Sequence, residues 1–187
     1  MGYYDTKKGV DEYIEAAEGY DGRALVEVLK KHLGRNAAVL ELGMGPGKDL
    51  AILGESFSVT GSDSSKAFLE KVREKNTGAD LVLLDAVTID IDRQFDGIYS
   101  NKVLCHLTQE ELAISLRRQA EVLEGGGVLL HSLWYGDKEE VLSGLRFVYY
   151  TEESFARAVG SEYEVVEIER YTEMEENDSI YFVLKRK

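Results

Sequence analysis

The sequence has little cysteine and no long apolar run. Its 187 residues include a single cysteine, Cys105, so no disulfide can form within the chain, which fits a reducing compartment. No stretch approaches the roughly 18 continuous apolar residues that a membrane span needs, and the N-terminus has no apolar run of signal-peptide length. We therefore expect a soluble, cytoplasmic protein that does not insert into a membrane.

Basic residues are also scarce. The chain has 22 lysines and arginines against 35 aspartates and glutamates, a formal net charge of −13. Binding to nucleic acid draws most of its affinity from basic side chains that neutralise phosphates, and an acidic surface opposes that approach. The charge balance disfavours a nucleic-acid substrate, and the short insertions between elements favour a small-molecule partner. The oligomeric state leaves no signal in the sequence.

The composition is sufficient for one domain. Hydrophobic residues make up 44% and charged residues 30% of the chain, which is ordinary for a globular protein. No internal repeat and no Pro-, Ser- or Gln-rich linker divides it. We predict a single domain over residues 1–187, with an N-terminal helical cap at 1–34 and a Rossmann-like core at 37–187.

Short apolar runs alternate with helical segments through the middle of the chain. The predicted strands are 37–42, 57–62, 79–84, 95–100 and 127–133, and the predicted helices between them are 48–53, 65–76 and 109–124. The connection 85–94 shows no helical period. Such alternation predicts a doubly wound α/β sheet whose strands are mostly parallel.

The two ends of the chain add to this core. Apolar residues recur at helical spacing over 9–33 with a break near 19–22, which predicts two short N-terminal helices. A helix at 151–159 precedes strands at 163–169 and 179–184, joined by a turn-rich acidic stretch that favours an antiparallel hairpin. The complete prediction is an α/β fold with a seven-stranded, mostly parallel sheet and an antiparallel C-terminal hairpin.

A glycine-rich loop follows the first predicted strand. After Glu41 it carries Gly43, Gly45 and Gly47 at alternate positions and then enters a helix. Glycine permits tight turns and close approach of a ligand to the main chain, and open α/β sheets bind ligands at the carboxyl ends of their strands. The loop is therefore the first candidate for a cofactor site.

Glycine-rich loops of this kind also bind phosphate-containing cofactors, either dinucleotides or the nucleotides held by a P-loop. A dinucleotide fingerprint, G-x-G-x-x-G, would require its third glycine where this chain has Lys48. The carboxylate of Glu41 would repel a pyrophosphate and suits a cationic ligand. A P-loop is excluded more firmly, because no Gly-Lys-Ser/Thr follows. These details disfavour a phosphate-containing cofactor.

The segment from Val39 to Gly47 resembles motif I of class I, small-molecule-type, S-adenosylmethionine-dependent methyltransferases, whose pattern is E/D-x-G-x-G-x-G. The resemblance implies that the loop wraps the methionine portion of the cofactor, that Asp63 holds the ribose hydroxyls, and that Asp85 meets adenine. An acid 20 residues after Gly43 also fits a dinucleotide fold, so Asp63 supports an adenosine ligand without choosing between the two cofactors. The implied cofactor-binding residues are Tyr20, Glu41, Gly43, Met44, Gly45, Gly47, Asp63, Ser64, Asp85, Ala86, Ser100 and Asn101.

The sequence gives less information about the residues that would bind the methyl acceptor. Strand four ends in Ser100-Asn101-Lys102 rather than Asn/Asp-Pro-Pro-Tyr/Phe, which disfavours methylation of exocyclic amines of bases or of protein amides. His106 is the best candidate base because an imidazole titrates near neutral pH, yet a single histidine with no visible partner favours a packing role beside the cofactor. Aromatic faces attract sulfonium ions and cations. We predict a substrate pocket formed by Tyr4, His106, Trp134 and Tyr135, and no metal site.

The resemblance thus predicts a methyltransferase that transfers a methyl group from S-adenosylmethionine to an unidentified small molecule. Two alternatives remain open: a non-catalytic binding or regulatory domain with the same fold, and an NAD-dependent oxidoreductase. The second is disfavoured by Lys48 and by the lack of a recognisable hydride-transfer constellation.

Overall fold

The structure, a computed structural model, describes residue 4 and residues 6–187. Residues 1–3 and 5 of the predicted N-terminal cap lie outside the described residues. The α-helices of the described chain are α1 Lys7–Ala16, α2 Arg23–Leu29, α3 Lys48–Leu53, α4 Lys66–Lys75, α5 Gln109–Val122 and α6 Glu152–Ala156. The first two confirm the predicted pair of N-terminal helices and the break between them.

One seven-stranded sheet organises the chain, in the order β3-β2-β1-β4-β5-β9-β8. Strands β1 to β5 run parallel, whereas β9 is antiparallel to both β5 and β8. The seven strands are β1 Ala38–Leu42, β2 Ser58–Asp63, β3 Asp80–Leu83, β4 Phe95–Asn101, β5 Leu123–Trp134, β8 Tyr163–Tyr171 and β9 Ser179–Arg186. The predicted fold class is confirmed.

The central strands are buried on both faces, which explains the short apolar runs within β1 and β5. On one face Leu40 and Ile98 pack in a core with Leu116 of α5. On the other face Val39 packs with Leu29 of α2 and with residues of α3. Strand order reverses between β1 and β4, so their carboxyl ends flank a switch point where doubly wound sheets open a crevice.

The structure differs from the sequence prediction at several element boundaries, including the helix predicted at 151–159, which spans only Glu152–Ala156, and in one hairpin. Helix α5 ends at Val122 and β5 begins at Leu123, so the predicted helix was slightly too long. Strands β6 Glu139–Leu142 and β7 Leu145–Val148 form a separate antiparallel hairpin that was not predicted. Its turn uses left-handed Ser143 and Gly144, with φ of 52° and 81°, but its strands are too short and too exposed to show a clear alternation.

Within the part of the chain that the structure describes, no helix combines the length and the apolar character that crossing a membrane requires.

Candidate functional site

The glycine loop leaves the carboxyl end of β1 in a left-handed conformation. Gly43, Gly45 and Gly47 have φ of 65°, 52° and 80°, values that residues with a Cβ rarely adopt. A Cβ on Gly43 would also lie 2.5 Å from a side-chain methyl of Val103. Both backbone conformation and space therefore require glycine at position 43.

A cavity of about 340 Å³ lies beside this loop, bordered by the carboxyl ends of β1, β4 and β5. Five of the predicted cofactor-binding residues line it: Tyr20, Glu41, Gly43, Met44 and Asn101. Three of the predicted substrate-pocket residues also line it: Tyr4, His106 and Trp134. The structure thus brings residues of both predicted groups to one cavity.

Glu41 is the most unusual of these residues. Its side chain is buried, and its Oε2 has no hydrogen-bond partner. Burial, reinforced by the negative charges of Asp49 and Asp63, raises the pKa of Glu41 well above its ordinary value. A buried polar atom without a partner is costly, so an unpartnered carboxyl oxygen at a cavity suits a ligand that brings a positive charge or an N–H donor.

Asp63 lies behind the loop rather than at the cavity wall. One of its carboxylate oxygens accepts a hydrogen bond from the Gly45 N–H at 2.9 Å, and the other accepts from the Ser65 N–H at 2.8 Å. Burial raises the pKa of Asp63, although these backbone N–H groups favour the charged form. Asp63 therefore positions the loop, and its contact with a ribose stays a prediction.

Asp85 and Ala86 also lie away from the cavity lining. Asp85 is exposed, and its Oδ1 accepts hydrogen bonds from the N–H groups of Val87 at 2.7 Å and Thr88 at 3.2 Å. The Ala86 carbonyl accepts from the Ser115 hydroxyl at 2.6 Å. Contact of this segment with adenine remains a prediction from the resemblance.

The other predicted residues lie outside the cavity lining too. Gly45 and Gly47 belong to the loop, and Ser64 is exposed at the end of β2. Ser100 is fully buried with its Oγ 2.8 Å from Nδ1 of His131, a core residue. The ring of Tyr135 lies 3.9 Å from the guanidinium of Arg170.

Asp49 is a site residue that the sequence prediction missed. Its buried carboxylate lines the cavity and accepts hydrogen bonds from the Gly22 N–H at 2.7 Å, the Tyr99 hydroxyl at 2.7 Å and the Asn101 amide at 3.0 Å. It therefore connects α3 to β4 and to the segment between the N-terminal helices. The available signal was its position as the acidic residue on an otherwise apolar stretch of α3.

Lys48 also connects α3 to the segment between the N-terminal helices. Its Nζ donates to the backbone carbonyls of Ala17 at 2.5 Å and Tyr20 at 3.3 Å. The residue that departs from the dinucleotide fingerprint therefore anchors the end of α1 over the cavity.

His106 lies toward the hairpin side of the cavity, in a short 3-10 turn at Leu104–His106. Its Nδ1 is 2.7 Å from the Arg146 carbonyl on β7. A carbonyl oxygen can only accept, so Nδ1 carries the proton and Nε2 of the neutral ring keeps its lone pair. Burial lowers the pKa of His106, which the hydrogen bond to Arg146 opposes. The unpredicted hairpin thus supplies the partner that the sequence could not reveal.

Lys102 is the second lysine at the cavity. Its Nζ donates to the Leu133 carbonyl at 2.9 Å and the Ser179 hydroxyl at 2.7 Å, and it lies 3.2 Å from a carboxylate oxygen of Glu173. It also lies 4.1 Å from the ring centroid of Trp134. Burial lowers the pKa of Lys102, while the Glu173 carboxylate raises it. Its charge is therefore already neutralised within the protein.

No group of three or more His, Cys, Asp or Glu side chains in the described part of the chain is arranged to hold a metal ion.

Comparison with known protein families gives a match over residues 39–127, to the family described as a methyltransferase domain. A curated relative is a trans-aconitate 2-methyltransferase from Methylobacterium radiotolerans, which is 38% identical over 93 residues. That alignment covers 48% of this chain and 35% of the relative, so the chain matches only about a third of that protein's length.

Solved structures share the fold over nearly the whole chain. A 1,6-didemethyltoxoflavin-N1-methyltransferase from Burkholderia thailandensis, with 1,6-didemethyltoxoflavin and S-adenosylhomocysteine bound, is 21% identical with a TM-score of 0.78, over 94% of this chain and 82% of that one. An amino pentose methyltransferase from Micromonospora echinaspora, with S-adenosylmethionine bound, is 17% identical with a TM-score of 0.76, over 95% and 97%. At these identities the likeness is one of fold.

Proposed function

We propose that the protein binds S-adenosylmethionine and methylates a small molecule, on the premise that residues 39–127 match the methyltransferase-domain family and lie within a class I methyltransferase fold. The observation that carries the proposal is the cavity at the switch point, where the left-handed glycine loop meets the unpartnered carboxyl oxygen of Glu41. A cationic ligand would supply the positive charge that this buried group lacks.

The residues proposed to hold the cofactor are those of the sequence motifs. They are Tyr20, Glu41, Gly43, Met44, Gly45, Gly47, Asp63, Ser64, Asp85, Ala86, Ser100 and Asn101. S-adenosylmethionine would supply an activated methyl group on a sulfonium, whose sulfur retains the electron pair of the broken bond. The protein's own task is then to orient the acceptor and exclude water.

Isothermal titration calorimetry with S-adenosylmethionine and, separately, with NADH tests the cofactor assignment. We expect saturable one-to-one binding of S-adenosylmethionine and no measurable heat from NADH, because Glu41 and Lys48 do not provide a pyrophosphate site. Binding of NADH in preference to S-adenosylmethionine would favour the oxidoreductase alternative. Binding of S-adenosylmethionine without formation of S-adenosylhomocysteine, across a broad acceptor screen, would favour the non-catalytic alternative.

His106 is proposed as the group that removes a proton from the acceptor. It borders the cavity, its Nδ1–H is held by the Arg146 carbonyl, and burial favours its neutral form. The Nε2 lone pair is therefore available to accept a proton near neutral pH. The ring of His106 also packs against Phe147, with ring centroids 4.8 Å apart, so the proposed role is in addition to the packing role that the sequence favours.

Nitrogen-15 NMR of histidine-labelled protein tests this assignment without an acceptor. We expect His106 to be the Nδ1–H tautomer at neutral pH and to titrate below the ordinary histidine pKa, because burial opposes its charged form. The base would then stay active as pH falls through the ordinary histidine range. His131, whose Nε2 lies 2.8 Å from Oε1 of Gln119 and whose pKa burial lowers to about 3, provides an internal reference with the opposite tautomer. An Nε2–H tautomer, or a pKa above the ordinary value, would contradict the role of His106.

The acceptor is proposed to be a small molecule, with nucleic acid disfavoured by the net charge of −13. A cytoplasmic location likewise stays a proposal, consistent with the single buried thiol of Cys105.

A further inference from the structure

We propose that the acceptor is an amine carried on an apolar or aromatic body, and that Glu173 excludes carboxylate acceptors by neutralising Lys102. This inference rests on the proposed function, because it names the substrate class of the same cavity. It follows from the charges around the cavity, from its apolar wall and from the contacts of Lys102.

The charges at the cavity are predominantly negative. Its described lining contains five carboxylates, those of Glu12, Asp21, Glu41, Asp49 and Glu173, against two lysines and no arginine. The raised pKa of Glu41 favours its neutral form, and its unpartnered oxygen is assigned to the cofactor, so the negative field at the acceptor comes from the other four carboxylates, of which Asp49 is buried. Such a field attracts a protonated amine and repels an anion.

Neither lysine at the cavity offers a site to an anion. Lys48 donates to the backbone carbonyls of Ala17 and Tyr20. Lys102 is bound by the Leu133 carbonyl, the Ser179 hydroxyl and the Glu173 carboxylate. A carboxylate that enters the cavity therefore meets no unpaired lysine, and it could bind Lys102 only by displacing Glu173.

The wall near His106 is apolar. The hairpin β6–β7 contributes Leu142, Leu145 and Phe147, and β5 contributes Trp134. These side chains suit a ring or a hydrocarbon body. An amine that enters protonated must lose a proton before it can attack a methyl group, and Nε2 of His106 is the proposed acceptor of that proton. The nitrogen gains the methyl group, and the electron pair of the broken bond stays on the donor's sulfur.

Glu173 is suited to a substitution test because its loop is held independently of its side chain. The Asp178 carboxylate accepts hydrogen bonds from the N–H groups of Glu173 at 2.9 Å and of Met174 at 3.0 Å. A Glu173→Gln variant should keep this loop while removing the nearest counter-charge of Lys102, with Asp178 acting on Lys102 from further away. A matched control is Glu176→Gln, an exposed position in the same loop that does not line the cavity.

The experiment compares two nearly isosteric probes, 2-phenylethylamine and 3-phenylpropionate, with trans-aconitate as a polycarboxylate. Dissociation constants are measured by ligand-observed NMR, with and without saturating S-adenosylhomocysteine. In the wild-type protein and in Glu176→Gln we expect the amine to bind at least about tenfold more tightly than either carboxylate. In Glu173→Gln we expect this preference to shift by about tenfold or more toward the carboxylates, because Lys102 becomes available.

Equal or weaker binding of the amine in the wild-type protein, including no measurable binding of it, would overturn the proposal. An unchanged preference in Glu173→Gln would overturn the role of Glu173. Failure of S-adenosylhomocysteine to bind would count against the proposed function instead, while the charge preference is still scored on the unliganded protein.

Discussion

Replacing Asp63 with alanine is expected to weaken the binding of S-adenosylmethionine about a hundredfold. Hydrogen bonds to a charged group contribute about 1.5–3 kcal/mol, and about 1.4 kcal/mol corresponds to a factor of ten in affinity. The variant removes the acceptor proposed for the ribose hydroxyls. It also removes the carboxylate that holds the Gly45 and Ser65 N–H groups, so the loop itself loses its support.

Calorimetry of two further variants tests whether the loss of affinity is specific to the carboxylate of Asp63. Asp63→Asn keeps one oxygen for a backbone N–H and should show an intermediate loss of affinity. Asp80→Ala removes a carboxylate on the neighbouring strand β3 that bonds Thr60 and Arg93 at a half-exposed position, and it should leave the affinity unchanged. Wild-type affinity in Asp63→Ala would contradict the assignment of the cofactor site.

Replacing Asp49 with alanine is expected to lower the free energy of unfolding by about 4 kcal/mol. The variant leaves three inward-facing donors, on Gly22, Tyr99 and Asn101, without their acceptor, and each buried donor without a partner costs about 1–3 kcal/mol. For a chain of this size such a loss lowers Tm by about 10 °C. Because Asp49 also holds the segment between α1 and α2, that segment should become more accessible.

Thermal and urea unfolding measure the loss of stability, and hydrogen exchange at residues 17–22 reports the release of the segment. Asp49→Asn retains one carbonyl oxygen and should fall between the wild-type protein and the alanine variant. The control is Glu55→Ala, whose exposed pairing with Arg23 should contribute less than about 1 kcal/mol. Equal stability of the Asp49→Ala and Glu55→Ala variants would show that the three buried donors find other partners.

Most of the fold could be predicted because its signals are local. A buried parallel strand such as β1 is mostly apolar, and the loop after it has glycine at three positions of positive φ, a conformation that glycine adopts without strain. The hairpin β6–β7 could not be predicted in this way. Its four-residue strands are mostly outside the core, and it is defined by the pairing of its two strands and by its contact with the turn at His106.

The candidate site was predictable only in part, for a similar reason. Glu41 and Gly43 belong to a contiguous motif, and both line the cavity. Asp49 stands next to that motif, but its role depends on Gly22 and Tyr99, which are far from it in sequence. Asp63 and Asp85 were assigned by resemblance, and in this structure their carboxylates hold backbone N–H groups.

The amino-acid sequence alone determined the positions of the core strands, the glycine loop and the cofactor class to be tested, because each depends on residues close together in the chain, whereas the order of the strands in the sheet came from the structure. The tertiary structure decided which charges remain available at the cavity. Lys102 and His106 gain their properties from Glu173 and Arg146, on segments that meet them only after folding. Protonation and ion pairing depend on distances in space, and no local pattern of residues encodes those distances.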